Sequence, residues 1–257
     1  MEKNVLLTIA YDGSDFHGWQ RQPDKATVQG TLEKLLSKLL KTEVLLNGTS
    51  RTDAGVHAMG QRASFKADVR IPMERFARVI NNTLASMEKG PFAISPIRIL
   101  EAVEMPDEFH ARFDSKGKKY IYRISNNGFV NVCERNYVYH VDAPLDVNLM
   151  REAAALITGT HDFKCFEASG SDIRENTVRT IYSLEILEGQ NSGDLEIHVS
   201  GDGFLYNMVR IITGTLVDVG HGKIKPSQIP EIIESKDRTT AGHTAPPYGL
   251  YLAEVYY

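Results

Sequence analysis

Cysteine is scarce in this chain of 257 residues: there are two, Cys133 and Cys165. Their spacing matches no metal motif and is too sparse for a disulfide framework. Long apolar runs are also missing. Val5 to Ala10 is short and meets Asp12 at once, so it reads neither as a secretory leader nor as a membrane span. His57, His110, His140 and His161 show no metal-ligand spacing, and no two form an H-x-x-x-H pair around an acid. Gly201-Asp202-Gly203 lacks the remainder of a dinucleotide or P-loop pattern. No low-complexity tract occurs. These absences point to a reduced, cytoplasmic protein that works without metal or small-molecule cofactor.

What is present is ordinary globular composition, 42% hydrophobic and 24% charged. The net charge of −4 speaks against a basic whole, but it is unevenly spread. Residues 1–130 carry 19 Lys+Arg against 15 Asp+Glu, and residues 131–257 carry 10 against 18. A polyanion needs only a local basic face. Arg75, Arg78 and the Lys116-Lys118-Lys119 cluster are the expected track for one.

Periodicity then gives the organisation. Val5 to Ala10 reads as a buried strand. Val28, Leu32, Leu35, Leu36, Leu39 and Leu40 follow helical spacing behind Thr27 as N-cap. Glu43 to Leu46 and Gln61 to Phe65 read as short strands. Pro72 opens a helix with Phe76, Val79, Ile80 and Leu84 on one face, and Phe92 to Val103 is extended. The order β-α-β-β-α-β is the split-βαβ, ferredoxin-like pattern. The second half repeats it: a strand at Tyr120–Ile124, then a helix capped by Asp146 with Leu149, Met150, Ala153 and Leu156. A hairpin of 178–187 and 195–199 turns across Gly189 to Gly193. A helix spans Phe204–Val219, a short one follows at Ile229–Ile233, and a strand at Leu250–Val255 closes the chain. The expected fold class is α+β, two ferredoxin-like halves (1–105 and 106–257) whose sheets meet around a central active-site cleft.

Between two of these apolar runs lies Gly48-Thr49-Ser50-Arg51-Thr52-Asp53-Ala54-Gly55-Val56-His57. It places one carboxylate, two residues after an arginine, on a loop of the kind that carries reactive groups. A cation so near favours the ionised acid, so Arg51 is expected to pair with Asp53. Taken alone, Asp-Ala-Gly is ordinary turn chemistry, and His57 reads as a structural hydrogen-bonding residue. Four further blocks stand in the chain: Tyr11-Asp12-Gly13 with Gly18-Trp19-Gln20-Arg21-Gln22; Asp107 to Phe113 followed by Lys119-Tyr120; Gly203 to Arg210; and Tyr248 to Leu252.

Together with the Asp53 loop, these blocks resemble, in order and over nearly the whole chain, the A-type tRNA pseudouridine synthases. That resemblance implies isomerisation of uridine to pseudouridine in the anticodon stem-loop of tRNA, at positions 38 to 40, by a homodimer with tRNA as its partner. It implies the same two-half fold. Residue by residue, Asp53 matches the catalytic aspartate, and Tyr120 the tyrosine that stacks on the extruded uracil, chosen over Tyr122 by the family register. Arg51 and Arg210 match basic residues at the site, and Leu250 an apolar wall under the base. The isomerisation breaks an N1–C1′ bond and forms a C5–C1′ bond with no redox change, which a positioned carboxylate can assist. A non-catalytic RNA-binding module is the rival from another class, since ferredoxin-like sheets also build RRM readers. The chain shows no RNP aromatics and keeps Asp53. A synthase for another RNA is the second rival.

Overall fold

A computed structural model describes residues 2–88, 90, 93–128, 131–170, 176–189 and 191–257. Phe92, the segment 171–175 and Gln190 lie outside them. The chain is mixed α/β and divides into two compact units, residues 1–116 with 252–257, and residues 117–251.

The first unit runs β1 (Glu2–Tyr11), α1 (Val28–Leu40), β2 (Asn47–Gly48), β3 (His57–Asp68), α2 (Met73–Met87) and β4 (Ile97–Met105). Its strands lie in the order β4-β1-β3-β2, every neighbour antiparallel. Val5, Leu7 and Ile9 alternate along β1 and are fully buried, as the period of two requires for one strand face. Phe65, Ile99, Leu32, Leu36, Phe76 and Ile80 complete the core, with the Phe65 and Phe76 rings 6.4 Å apart. Thr27 caps α1, its Oγ1 accepting from Gly30 N at 3.3 Å. Asn81 of α2 clips the helix to the edge strand: its Nδ2 donates to Ile99 O at 2.7 Å and its Oδ1 accepts from Ile99 N at 2.8 Å. The pairing of β1 with β4 shifts register there, between Thr8 and Ile9.

One expected strand is missing. Glu43 to Leu46 forms no ladder, and pairing starts only at Asn47. Side chains of α1 take over its backbone groups. Val44 N donates to Ser37 Oγ and Leu46 N to Glu33 Oε1, each at 2.9 Å, while Gln29 Nε2 donates to Leu46 O at 3.0 Å. Glu33 is buried for this purpose, with Arg21 on its other oxygen at 2.9 Å. An alternation of residues cannot reveal a segment whose hydrogen bonds go to a neighbouring helix.

The second unit holds β5 (Gly117–Ser125), β6 (Tyr139–His140), α3 (Val147–Ile157), β7 (Gly159–Asp162), β8 (Val178–Glu188), β9 (Asp194–Gly201), α4 (Met208–Gly220) and α5 (Ile229–Ser235). The sheet order is β5-β9-β8-β7, antiparallel throughout, with β6 parallel to β5. Asp146 caps α3 by accepting from Asn148 N and Leu149 N at 3.0 and 3.2 Å. Met150, Ala153, Ala154 and Ile157 form its buried face, whereas Leu156 is exposed. The helix expected from Phe204 starts at Met208 instead. Asn207 sits at φ 58°, in the left-handed region, and breaks the helical run before it. Leu205 to Met208 forms a turn closed by Met208 N to Leu205 O at 3.1 Å.

The last strand, β10 (Leu250–Tyr256), returns to the first unit. Residues from Leu252 onward belong there, where the strand lies beside β3. Tyr256 O accepts from Lys116 N at 2.9 Å, and Tyr257 OH reaches Ala111 O at 2.8 Å. Both cysteines are free thiols, and burial pushes that of Cys165 up to about 12. Among the described residues no helix is long and apolar enough to cross a membrane.

Candidate active site

In the first unit the Asp53 loop is fastened at its start by β3 and further on by the end of β1 and the segment that follows it. Thr49 N donates to Arg62 O at 2.9 Å, and Gln61 Nε2 to Ser50 O at 2.7 Å, so the loop leaves the sheet under control of β3. Trp19 N donates to Thr52 O at 3.0 Å, and the Tyr11 and Thr52 hydroxyls share a buried hydrogen bond of 2.7 Å. Gly55 N donates to Phe16 O at 3.4 Å, and Val56 N closes the turn on Asp53 O at 3.1 Å. Trp19, the single tryptophan, is buried with its ring centroid 6.1 Å from that of Tyr11.

Gly18 shows why this segment needs glycine. It has φ +85°, and a Cβ there would lie 2.6 Å from Thr52 O and 3.1 Å from Asp53 C. Two backbones therefore touch directly behind the carboxylate. Asp53 itself is half-buried and Arg51 is exposed. The expected Arg51–Asp53 ion pair is not formed: among the described residues Arg51 makes neither an ion pair nor a hydrogen bond. Exposure explains this, because a surface pair gains at most about 1 kcal/mol and must order two side chains to do so. The turn at Asp53 is closed by the backbone bond from Val56 N.

The other expected residues, Tyr120, Arg210 and Leu250, belong to the second unit. Tyr120 and Tyr122 share one face of β5 and both are buried. Their surroundings differ. Tyr122 OH donates to Pro246 O at 2.7 Å, and burial raises its phenol well above the ordinary value, against a smaller opposing pull from Arg210. Tyr120 meets the Phe204 ring edge-on, centroids 5.2 Å apart and planes at 88°. Phe204, just before the turn that leads into α4, thus serves as a side wall for Tyr120.

Arg210 lies two residues into α4 and braces the loop that precedes β10. Its Nε donates to Ala245 O at 2.8 Å and its Nη1 to Asn207 Oδ1 at 2.7 Å, while Ala245 N returns a bond to Arg210 O at 3.1 Å. Leu250 follows the Pro247–Gly249 turn and is buried. The cations expected along an RNA track are at the surface: Arg75, Arg78 and Lys116 are exposed, Lys118 and Lys119 half-buried.

Residue patterns alone leave several supports unassigned. Phe204, Trp19 and Gly18 stand inside the family-like blocks without a role of their own, and the signal that could have found them is that each adjoins a block residue with one. Glu33 gives no signal, since an acid inside a helical pattern looks like a solvated position.

The family model for tRNA pseudouridine synthase matches residues 7–114 and 153–257. Among similar proteins is tRNA pseudouridine synthase A 2 of Clostridium tetani, 48% identical over 259 residues, covering all of both chains. The tRNA pseudouridine synthases A of Ruminiclostridium cellulolyticum and of Thermoanaerobacter sp. are 48% and 45% identical, over 99% of this chain and 100% of theirs. A crystal structure of an archaeal box H/ACA sRNP Nop10-Cbf5 complex aligns with 97% of this chain and 46% of that one. Its 13% identity and TM-score of 0.31 carry no argument about the fold. Kinship over the full length, including the Asp53 loop and the blocks that fasten it, leads to one conclusion: the chain belongs to the tRNA pseudouridine synthase family, a family of isomerases.

Proposed function

We propose that this protein isomerises uridine to pseudouridine in the anticodon stem-loop of tRNA, at positions 38 to 40, with Asp53 as the catalytic carboxylate. The observation that carries the reading is the seat of Asp53: a half-buried acid on a loop whose backbone is bonded at Thr49, Ser50, Thr52, Gly55 and Val56. Catalysis by a carboxylate at C1′ or C6 needs an oxygen held within reach of one atom, and such fastening provides it.

Tyr120 would stack on the extruded uracil, Leu250 would form the apolar surface beneath it, and Arg51 and Arg210 would meet phosphate or the acid. Arg51, exposed and without a partner among the described residues, suits a phosphate better than it suits Asp53. On this reading each unit is one ferredoxin-like half, supported by the β4-β1-β3-β2 order of the first and the β5-β9-β8 order of the second. The enzyme works as a homodimer in the cytoplasm and needs no cofactor, because the isomerisation is redox-neutral.

Asp53→Asn tests the reading. The isostere keeps the loop and removes the charge, so turnover on an anticodon-arm substrate should fall below about 1% with tRNA affinity within a few-fold. Turnover above a few per cent of wild type would overturn the assignment.

A further inference from the structure

We propose that His57 is a positioning residue for this reaction, a neutral imidazole whose Nδ1 latches the exit of the Asp53 loop to Gly13. The inference rests on the reading of Asp53 as the catalytic acid and adds a residue that acts through it.

His57 is the first residue of β3 and is 2% exposed. It follows directly on Val56, whose N–H closes the turn on Asp53 O. Across from it Gly13 N donates to His57 Nδ1 at 3.1 Å in a buried bond. The two stretches of chain are in backbone contact at this point, since a Cβ on Gly13 would lie 2.0 Å from Val56 O. Asp12 stands beside the same nitrogen, its Oδ1 3.2 Å from Nδ1, and that oxygen also accepts from Ser14 N and Oγ at 2.9 and 2.7 Å. Asp12 N is anchored to Pro96 O at 2.9 Å.

One nitrogen thus faces two groups with opposite demands. To accept from Gly13 it must carry a lone pair, with the ring proton on Nε2; to donate to Asp12 it must be protonated. Only the first state satisfies the buried Gly13 N–H, and an unpaired buried amide is costly. Asp12 has Ser14 to occupy it, whereas the bond to Nδ1 is what the structure gives Gly13 N–H. A side chain that merely filled the space would need no acceptor at this atom. The latch acts just downstream of the Asp53 turn, on the opposite shoulder from the Trp19–Thr52 and Tyr11–Thr52 bonds.

Asparagine and glutamine separate position from bulk. Asn at 57 places an amide oxygen where Nδ1 stands, and Gln carries its amide out to the place of Nε2. His57→Asn should hold kcat within about fivefold of wild type. His57→Gln should lower kcat on the order of 100-fold, the cost of displacing a reacting group by about 1 Å, with KM for tRNA within threefold. Trp19, packed behind the loop, should keep its emission in the Asn variant and shift in the Gln variant. Equal kcat in the two variants, or a loss carried by KM alone, would overturn the proposal. If the Gln variant lacks a cooperative melt, the Asn variant decides alone, and a 100-fold loss in a natively melting Asn protein overturns it. Asp53→Asn is run alongside. Turnover above a few per cent there removes the premise, whereas an inactive Asp53→Asn with an unaffected His57→Gln removes only this inference.

Discussion

The residues proposed to act together are held in two different ways. In the first unit Asp53 stands on an irregular loop, fixed by β3 and the stretch after β1 largely through backbone N–H and C=O groups, with Gly13 and Gly18 where the backbones touch. In the second unit Tyr120 and Arg210 stand on regular elements, β5 and α4, and use side chains to organise their surroundings. A loop offers a group at an angle that no strand or helix presents, but it must then be secured from outside. Residues on ladders and helices arrive already aligned and can use their polar atoms to brace a neighbour, as Arg210 does for Ala245.

The strongest way to break this comparison is at Gly18. Gly18→Ala places a methyl 2.6 Å from Thr52 O on a residue at φ +85°. Left-handed strain and overpacking together should cost roughly 2–4 kcal/mol of stability, read by chemical melts. Turnover should fall further than stability, because the displaced backbone adjoins Asp53. A Gly18→Ala protein with native melting and native turnover would show that the loop is held elsewhere.

A second experiment addresses affinity and leaves geometry alone. Charge reversal of Lys116, Lys118 and Lys119 to Glu should weaken tRNA binding by at least tenfold at low salt. For every phosphate that no longer meets a lysine, the dependence of log K on log salt should flatten by about 0.7–0.9. The melt should move little, since these side chains are exposed or half-buried. An unchanged slope would place the RNA on another surface.

The smallest effect is expected at Tyr122. Tyr122→Phe removes the bond to Pro246 O and leaves that carbonyl short of a partner, costing about 1–2 kcal/mol. Because Arg210 also braces this loop, kcat should drop only several-fold. A loss as large as that of Gly18→Ala would mean that the second unit depends on a single clasp in the same way as the first.

Much of this was legible from the residues because it depends on local patterns. The caps at Thr27 and Asp146, the apolar run of β1 and the hairpin of β8 and β9 are set by neighbours in sequence. What escaped depends on long-range partners. Glu43–Leu46 looks like a strand until Glu33 and Ser37 are seen to hold its amides, and Phe204 looks helical until Asn207 turns left-handed. The Asp53 loop stands out by its composition, yet its support by Tyr11, Gly18 and Trp19 lies more than thirty positions away. The pairing expected of Arg51 fails for a related reason: proximity in sequence does not fix where a long exposed side chain points.

The return of β10 to the first unit bears on synthesis as well as on architecture. Residues 117–251 are synthesised before Leu252–Tyr256, so β3 waits through the whole of the second unit for its last neighbour. During translation the nascent first unit carries an exposed strand edge, the feature most prone to wrong pairing. Arrival of Leu252–Tyr256 beside β3, rather than completion of residue 116, is therefore the point at which that unit is expected to become resistant to proteolysis.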